Sequence, residues 1–272
     1  MRIYTKSGDL AFSVFNFPDG QPHFRLETYE REFETVTIEV SIRSPLDLFT
    51  TLLANDVLRQ HGYSQVNLDI RYLMGARMDR AINSLQPFTL QTVARLINGA
   101  GFTKVRILDA HSEVATRLIR NSTNVLPHEI IKQVLATIGP VCVVSPDKGA
   151  YDRVNALVGE THWIRQCSKK RDSQTGALSG FNIDDIDGVG VLGSHLIIDD
   201  ICDGGGTFVG LAKELRKAGA TKIFLFVTHG IFSKGLPLDG INRVFTTDSF
   251  GWTGVEQPGY LVPIPISMKD MK

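Results

Sequence analysis

The segment from His195 to Thr207 reads HLIIDDICDGGGT, and it restricts the fold more than any other stretch of the chain. Leu196, Ile197 and Ile198, with Ile201 just beyond, make an apolar run suited to a buried strand. The strand ends in two carboxylates, Asp199 and Asp200, followed by Asp203 and the glycines Gly204, Gly205 and Gly206. Paired acids at a strand end can accept hydrogen bonds from the two hydroxyls of a ribose. Glycines let backbone N–H groups close around a phosphate at a helix N-terminus. Thr207 is positioned to add a hydroxyl donor and to cap that helix. The alternative for such a run alone is a glycine turn with a solvated acidic edge. The apolar strand, the paired acids and the Gly-Gly-Thr together argue against it.

The rest of the chain has the rhythm such a segment requires. Strands are predicted over 9–17, 35–42, 66–73 and 104–111, with a helix opened by Ser44-Pro45-Leu46-Asp47 and others over 87–98 and 126–138. A second series places strands over 140–147, 195–201, 222–230, 242–248 and 260–264, with helices from about Ala150 and over 207–217. Strands alternating with helices predict an α/β fold of two similar domains, each a parallel sheet flanked by helices. The boundary falls near residue 139, giving domains 1–138 and 139–272. The stretch 168–194 is rich in Gly, Ser and Asp and reads as a loop with short strands.

Composition excludes several classes. Lys plus Arg and Asp plus Glu both number 29, so no global positive charge points to nucleic acid or to an anionic membrane. No apolar run approaches the length that spans a bilayer, and the first residues, MRIYTKSGDLAF, lack the pattern of a signal peptide. The three cysteines, Cys142, Cys167 and Cys202, have no metal-ligand spacing and read as free thiols of a cytoplasmic protein. The acids beside Cys202 would raise its pKa, which favours a packing role.

In open parallel sheets ligands bind beyond the carboxyl ends of the strands. Five predicted strands end in ionisable or hydroxyl groups: Arg77, Asp79 and Arg80; Asp109 and His111; Asp147; Asp199, Asp200 and Asp203; Thr228 and His229.

The segment at 195–207 resembles the PRPP-binding motif shared by type I phosphoribosyltransferases and ribose-phosphate diphosphokinases, the PRPP synthetases. The remainder chooses the synthetases. RYLMGARMDR at 71–80 resembles their segment for ATP phosphates, and RILDAHSEV at 106–114 the segment whose histidine binds magnesium. VVSPDKGAYDRVNAL at 143–157 is similar to their ribose and metal loop, CSKKR at 167–171 to the start of their catalytic loop, and THGIFS at 228–233 to a further signature. The matches run in order from about residue 13 to 250, and phosphoribosyltransferases lack the first two.

The resemblance implies Mg²⁺-dependent transfer of the pyrophosphoryl group of ATP to the anomeric hydroxyl of ribose 5-phosphate, giving PRPP and AMP. It makes Lys169 and Arg171 the catalytic cations and assigns ATP to Phe17, Asp19, Gln21, Arg77, Asp79, Arg80 and His111. It assigns the ribose phosphate to Asp199, Asp200, Asp203, Gly204, Gly205, Gly206 and Thr207, and Mg²⁺ to His111 and Asp147. The FNFPDGQ segment, which also reads as a Pro-Asp-Gly hairpin turn, reaches a neighbouring subunit in that family, implying a homo-oligomer, dimer or hexamer. Where the family has Thr the chain has Gly204, where it has Pro it has Gly230, where it has an acid it has Gln21, and where it has Gln it has Met78. A roomier loop at Gly204 would admit a 5′-substituted ribose phosphate such as ADP-ribose. Two further readings, a non-catalytic synthetase-associated subunit and a phosphoribosyltransferase, fit the retained site residues less well.

Overall fold

Ser44 shows how closely the local sequence dictates the local structure. Its side chain accepts from the Asp47 N–H, the Asp47 carboxylate accepts from the Ser44 N–H, and Pro45 opens the helix. This reciprocal cap starts the first helix where the sequence predicts it. In a computed structural model of the chain, residues 1–29, 34–159, 162–171, 178–183, 193–251 and 259–271 are described, those at 169–171 and 178–183 by backbone alone. Contacts divide the chain into two units, Met1–Val125 with Ser267–Lys272, and Leu126–Ile266. The sequence rhythm suggests a division near residue 139. The helix at 128–138, which closes the first series in that reading, is grouped with the second unit.

The first unit contains β1 (Arg2–Tyr4), β2 (Phe12–Asn16), β3 (Pro22–Leu26), β4 (Thr35–Ile42), α1 (Pro45–Gln60), β5 (Gln65–Leu73), α2 (Thr89–Gly99), β6 (Val105–Leu108), α3 (Val114–Leu118) and β7 (Ser122–Val125). Its sheet has the order β1-β4-β5-β6-β7. β4 to β7 are parallel, and β1 is antiparallel at the edge. Val36, Ile38, Leu68, Ile70 and Ile107 of the strands share one core with Leu48 and Leu58 of α1 and Leu90 and Ile97 of α2. Each such side chain contributes about 2 kcal/mol when removed from water. β2 and β3 form a separate antiparallel hairpin around the Pro-Asp-Gly turn, with Phe17 N–H donating to Gln21 O. Phe12 stacks on the buried Phe24 at the base, while Phe15, Phe17 and His23 cluster at the exposed tip.

The second unit contains α4 (His128–Ile138), β8 (Cys142–Ser145), α5 (Tyr151–Val158), β9 (Ile164–Arg171), β10 (Leu178–Ile183), β11 (Gly193–Cys202), α6 (Gly206–Lys217), β12 (Ala220–Gly230), β13 (Arg243–Thr247) and β14 (Leu261–Ile264). The sheet order is β10-β9-β8-β11-β12-β13-β14. Every neighbouring pair is parallel except β9–β10. Phe208, Leu211 and Leu215 recur along one face of α6 and pack with Ile197, Leu225 and Val244 of the sheet. From β8 the chain runs outward through β9 and β10, then returns to the other side of β8 as β11. The sheet therefore has its switch point between β8 and β11, the place where open parallel sheets bind ligands beyond the strand carboxyl ends.

Residues 267–271 are placed by distant contacts and not by a local sequence pattern. Arg106 of β6 makes two hydrogen bonds to the buried Asp69 of β5, of 2.8 and 2.5 Å. It also donates to Met271 O at 2.8 Å and to Met268 O at 2.6 Å. Met268 is fully buried, and its N–H donates to Glu39 of β4 at 3.3 Å. Tyr4 donates to Asp69 at 2.9 Å, and burial first, then the Asp69 charge, pushes its own hydroxyl pKa well up. Removing one partner of such a buried ion pair costs about 3 kcal/mol, because the other charge stays buried. Arg106→Leu should lower the urea unfolding midpoint by that equivalent, and Asp69→Leu added to it should recover most of the loss.

Candidate active site

Both predicted binding regions are built at strand carboxyl ends. In the first unit β5 ends at Leu73, and Gly75, at φ 80°, turns the chain. A β-carbon there would press on Thr89 Cγ2 at 3.1 Å. Met78 N–H donates to Gly75 O at 2.9 Å, and Leu90 N–H donates back to Met78 O at 3.2 Å, which shapes the loop before α2. At the end of β6, Asp109 is fully buried with φ 44°, a conformation uncommon outside glycine. Its N–H donates to Val125 O, and the next amide, Ala110 N–H, donates to Asn124 Oδ1, each at 2.8 Å. Nothing in the sequence marks Asn124, since a lone Asn in a short edge strand carries no motif.

These two turns form the walls of a cavity of about 240 Å³ lined by Arg77, Met78, Asp79, Arg80, Ile82 and His111. Arg77, Asp79, Arg80 and His111 are thus brought to one cavity. Two guanidiniums against one carboxylate favour a bound anion, and planar N–H donors suit phosphate oxygens. Phe17, Asp19 and Gln21 lie apart from this cavity on the β2–β3 hairpin, where Asp19 Oδ1 accepts from Gln21 N–H at 3.0 Å.

In the second unit the switch point is bracketed by Asp147 beyond β8 and by Asp199 and Asp200 at the end of β11. Asp147 caps the turn at Lys148–Ala150, accepting from Ala150 N–H at 3.0 Å, and Ser145 Oγ donates to Asp147 O at 2.9 Å. Asp199 Oδ1 accepts from Asp200 N–H at 2.9 Å and faces Arg153 of α5 at 3.4 Å. Burial first, then the neighbouring Asp200 charge, pushes the Asp199 carboxyl up to about 8, and Arg153 recovers part of that cost. No local motif marks Arg153 in the sequence. Its signal is its place on the helix that follows the Asp147 cap.

Gly205 carries the positive φ of 74° and is the N-cap residue of α6. A β-carbon at Gly205 would overlap Leu238. Thr207 therefore does not cap the helix as expected. It lies within the first turn, and the cap has no side-chain hydrogen bond. Asp203 accepts from Ser233 Oγ at 2.5 Å. Cys202 is fully buried, and burial, then Asp199 and Asp203, push its thiol up to about 12, so it packs rather than reacts. Thr228 and His229 are likewise buried, not open to the crevice. His229 Nδ1 pairs with Ser249 Oγ at 2.8 Å, and Ser249 Oγ donates to Thr228 O at 3.0 Å. Gly230 leaves room for the Phe232 ring and Thr246 Oγ1, which a β-carbon would strike. Lys169 and Arg171 occupy the end of β9, paired with Phe181 and Leu178 of β10; their side chains lie outside the described residues.

An α/β protein with an anion cavity at one sheet and a diacid–glycine crevice at the switch point of another belongs to the class that handles phosphorylated ribose. The chain belongs to the ribose-phosphate pyrophosphokinase family. It is 31% identical over 232 residues to the "Ribose-phosphate pyrophosphokinase" of Pyrococcus furiosus, covering 82% of this chain and 78% of that one. The protein of that name from Thermococcus kodakarensis is 31% identical over 231 residues, covering 83% and 80%. Residues 184–244 match the model of the phosphoribosyl synthetase-associated domain. The fold is that of the phosphoribosylpyrophosphate synthetase of Mycobacterium smegmatis, with a TM-score of 0.79 at 20% identity over 94% of this chain and 86% of that one. Among the described residues no helix is long and apolar enough to cross a membrane.

The raised pKa of Asp199 has a consequence for stability. The folded state holds the proton more tightly than the unfolded chain, whose ordinary value is 3.8. The carboxylate therefore costs nothing below about pH 4, costs progressively more up to about pH 8, and a constant amount above. Asp199→Asn should raise Tm by roughly 2–4 °C at pH 8.5, equivalent to about 1 kcal/mol. At pH 4 it should leave Tm unchanged. Equal Tm values at both pH values would show that the pair carries no strain.

Proposed function

We propose that this protein transfers the pyrophosphoryl group of ATP to the anomeric hydroxyl of ribose 5-phosphate. The 1-hydroxyl oxygen attacks the β-phosphorus, the bond between the α- and β-phosphates breaks, and the products are PRPP and AMP. The observation that supports this reading most is the switch point, where the half-buried Asp199 and the buried Asp200 precede a glycine loop at a helix N-terminus. Asp199 and Asp200 would accept from the ribose hydroxyls, and the amides of 204–207 would hold the 5′-phosphate. The Asp199–Asp200 strain is relieved when hydroxyl donors reach the pair.

Arg77 and Arg80 would hold the ATP phosphates in the cavity beside His111, and Phe17, Asp19 and Gln21 would meet an adenine, the hairpin reaching a second copy in a homo-oligomer. Lys169 and Arg171 would stabilise charge spread over the transferring phosphates. Among the described residues no group of three or more His, Cys, Asp or Glu side chains could hold a metal ion by itself. That fits Mg²⁺, which keeps several waters and is bound through substrate phosphates with few protein ligands. His111 in the first unit and Asp147 in the second would each be available as such a ligand, and Mg²⁺ would supply charge neutralisation when bound. The three cysteines form no disulfide, which suits a reducing cytoplasm.

The test is mass spectrometry of products from ATP, Mg²⁺ and a panel containing ribose 5-phosphate and ADP-ribose. AMP and PRPP should form from ribose 5-phosphate and vanish when Mg²⁺ is chelated. Release of AMP with ADP-ribose but not with ribose 5-phosphate would assign the site to a 5′-substituted sugar instead. Lys169→Ala and Arg171→Ala should each lower kcat by about 10²–10³-fold with Tm unchanged.

A further inference from the structure

Gly204 is not there for its backbone. Gly205 requires a left-handed conformation, but Gly204 has no positive φ, so an ordinary residue could adopt its geometry. What the missing side chain allows is the approach of Lys234. The Cδ and Cε atoms of Lys234 lie 3.3 Å, and its Cγ 3.5 Å, from the point where a β-carbon of Gly204 would stand. A threonine there, with two further heavy atoms, would displace the lysine stem. The space is therefore not an open enlargement of the loop: methylenes that end in an ammonium lie along it.

Lys234 is also held there by its neighbours. Ile231 and Phe232 N–H groups both donate to Cys202 O, at 2.8 and 3.1 Å, and Ser233 N–H donates to Asp203 O at 3.2 Å. Ser233 Oγ adds the bond to the Asp203 carboxylate. Gly235 N–H turns back to Phe232 O at 2.8 Å. The segment after β12 is thus tied to the segment after β11 on the residues immediately before Lys234. Three carboxylates, Asp199, Asp200 and Asp203, precede the glycine loop and repel an approaching phosphate. Arg153 is already engaged with Asp199. Lys234 is exposed, and among the described residues it has no ion-pair partner.

We infer that Lys234 is a specificity-determining residue of the ribose-phosphate loop: its ammonium binds the phosphoryl group at the sugar's 5′ position, in the place left by the side chain that Gly204 lacks. The inference rests on the reading of 203–207 as the ribose-phosphate loop. A compact ammonium on a flexible stem can follow either a single 5′-phosphate or the outer phosphate of a 5′-diphosphate ester.

The experiment compares the full-length protein with Lys234→Ala, Lys234→Arg, Lys234→Ala/Gly204→Thr and, as a remote control on the last turn of α6, Lys217→Ala. KM for ribose 5-phosphate, for ADP-ribose and for ATP is measured at low and high salt. Lys234→Ala should raise KM for the turned-over sugar about tenfold, as loss of one charge-assisted hydrogen bond does. KM for ATP and kcat should stay within twofold. Lys234→Arg should remain within threefold of the parent, and the added Gly204→Thr should recover part of the loss. The parent KM should rise with salt more steeply than that of Lys234→Ala. A loss confined to ADP-ribose places the ammonium on the outer phosphate, and one confined to ribose 5-phosphate places it on the single phosphate. An unchanged sugar KM, or equal rises for sugar and ATP, overturns the inference. Should the parent turn over neither sugar, the proposed reaction fails separately. Calorimetric titration with ribose 5-phosphate then still decides Lys234: about tenfold weaker binding by Lys234→Ala upholds its role, and equal binding refutes it.

Discussion

The site depends on six strands of the second unit running in one direction. Parallel pairing of β8 with β11 and of β11 with β12 delivers every strand's carboxyl end to the same edge. Because the chain leaves β8 on one side and returns as β11 on the other, that edge parts between Asp147 and Asp199. The apolar residues of β11 are buried on both faces, and this burial is what holds Asp199 and Asp200 side by side with little water to separate their charges. Sheet and site are one construction: the packing that stabilises the strand creates the electrostatic tension at its end. Strongly displaced carboxyl pKa values in a crevice are a common mark of a working site.

Glycines make the second recurring device. Gly75, Gly205 and Gly230 each stand where a β-carbon would press on or overlap a neighbour, against Thr89, Leu238 and Phe232. The loops are therefore packed close and cannot be relaxed by simple substitution. Gly204 differs, because its neighbour is the stem of a lysine, a group that can move.

Much of this was legible in the sequence, for physical reasons. The capped start of α1, the apolar run of β11 and the amphipathic face of α6 are local patterns, and the structure has them where they are read. Arg77, Asp79, Arg80 and His111 are gathered by the rule that parallel strands expose their carboxyl ends together. The elements missed are those whose cause is distant. β1 is three residues long and is defined by its partner β4; Asn124 matters through one amide on another strand; Arg153 and Lys234 matter through residues 46 and 30 positions away, and only contact reveals them. Thr207 is of a type that favours a cap, yet the left-handed Gly205 takes that position two residues earlier. His229 ends its strand as expected but turns into a buried network with Ser249.

The clasp of residues 267–271 on Arg106 and Glu39 bears on how the protein is made. The first unit is not contiguous in sequence, since its last pieces follow the whole second unit. A ribosome that has released Val125 must still synthesise residues 126–266 before Met268 appears, a delay on the order of ten seconds. Throughout that interval the slot for Met268 is open and Arg106 lacks its two carbonyl acceptors. The contacts of Arg106 with Met268 O and Met271 O can therefore be completed only after the second unit has been synthesised.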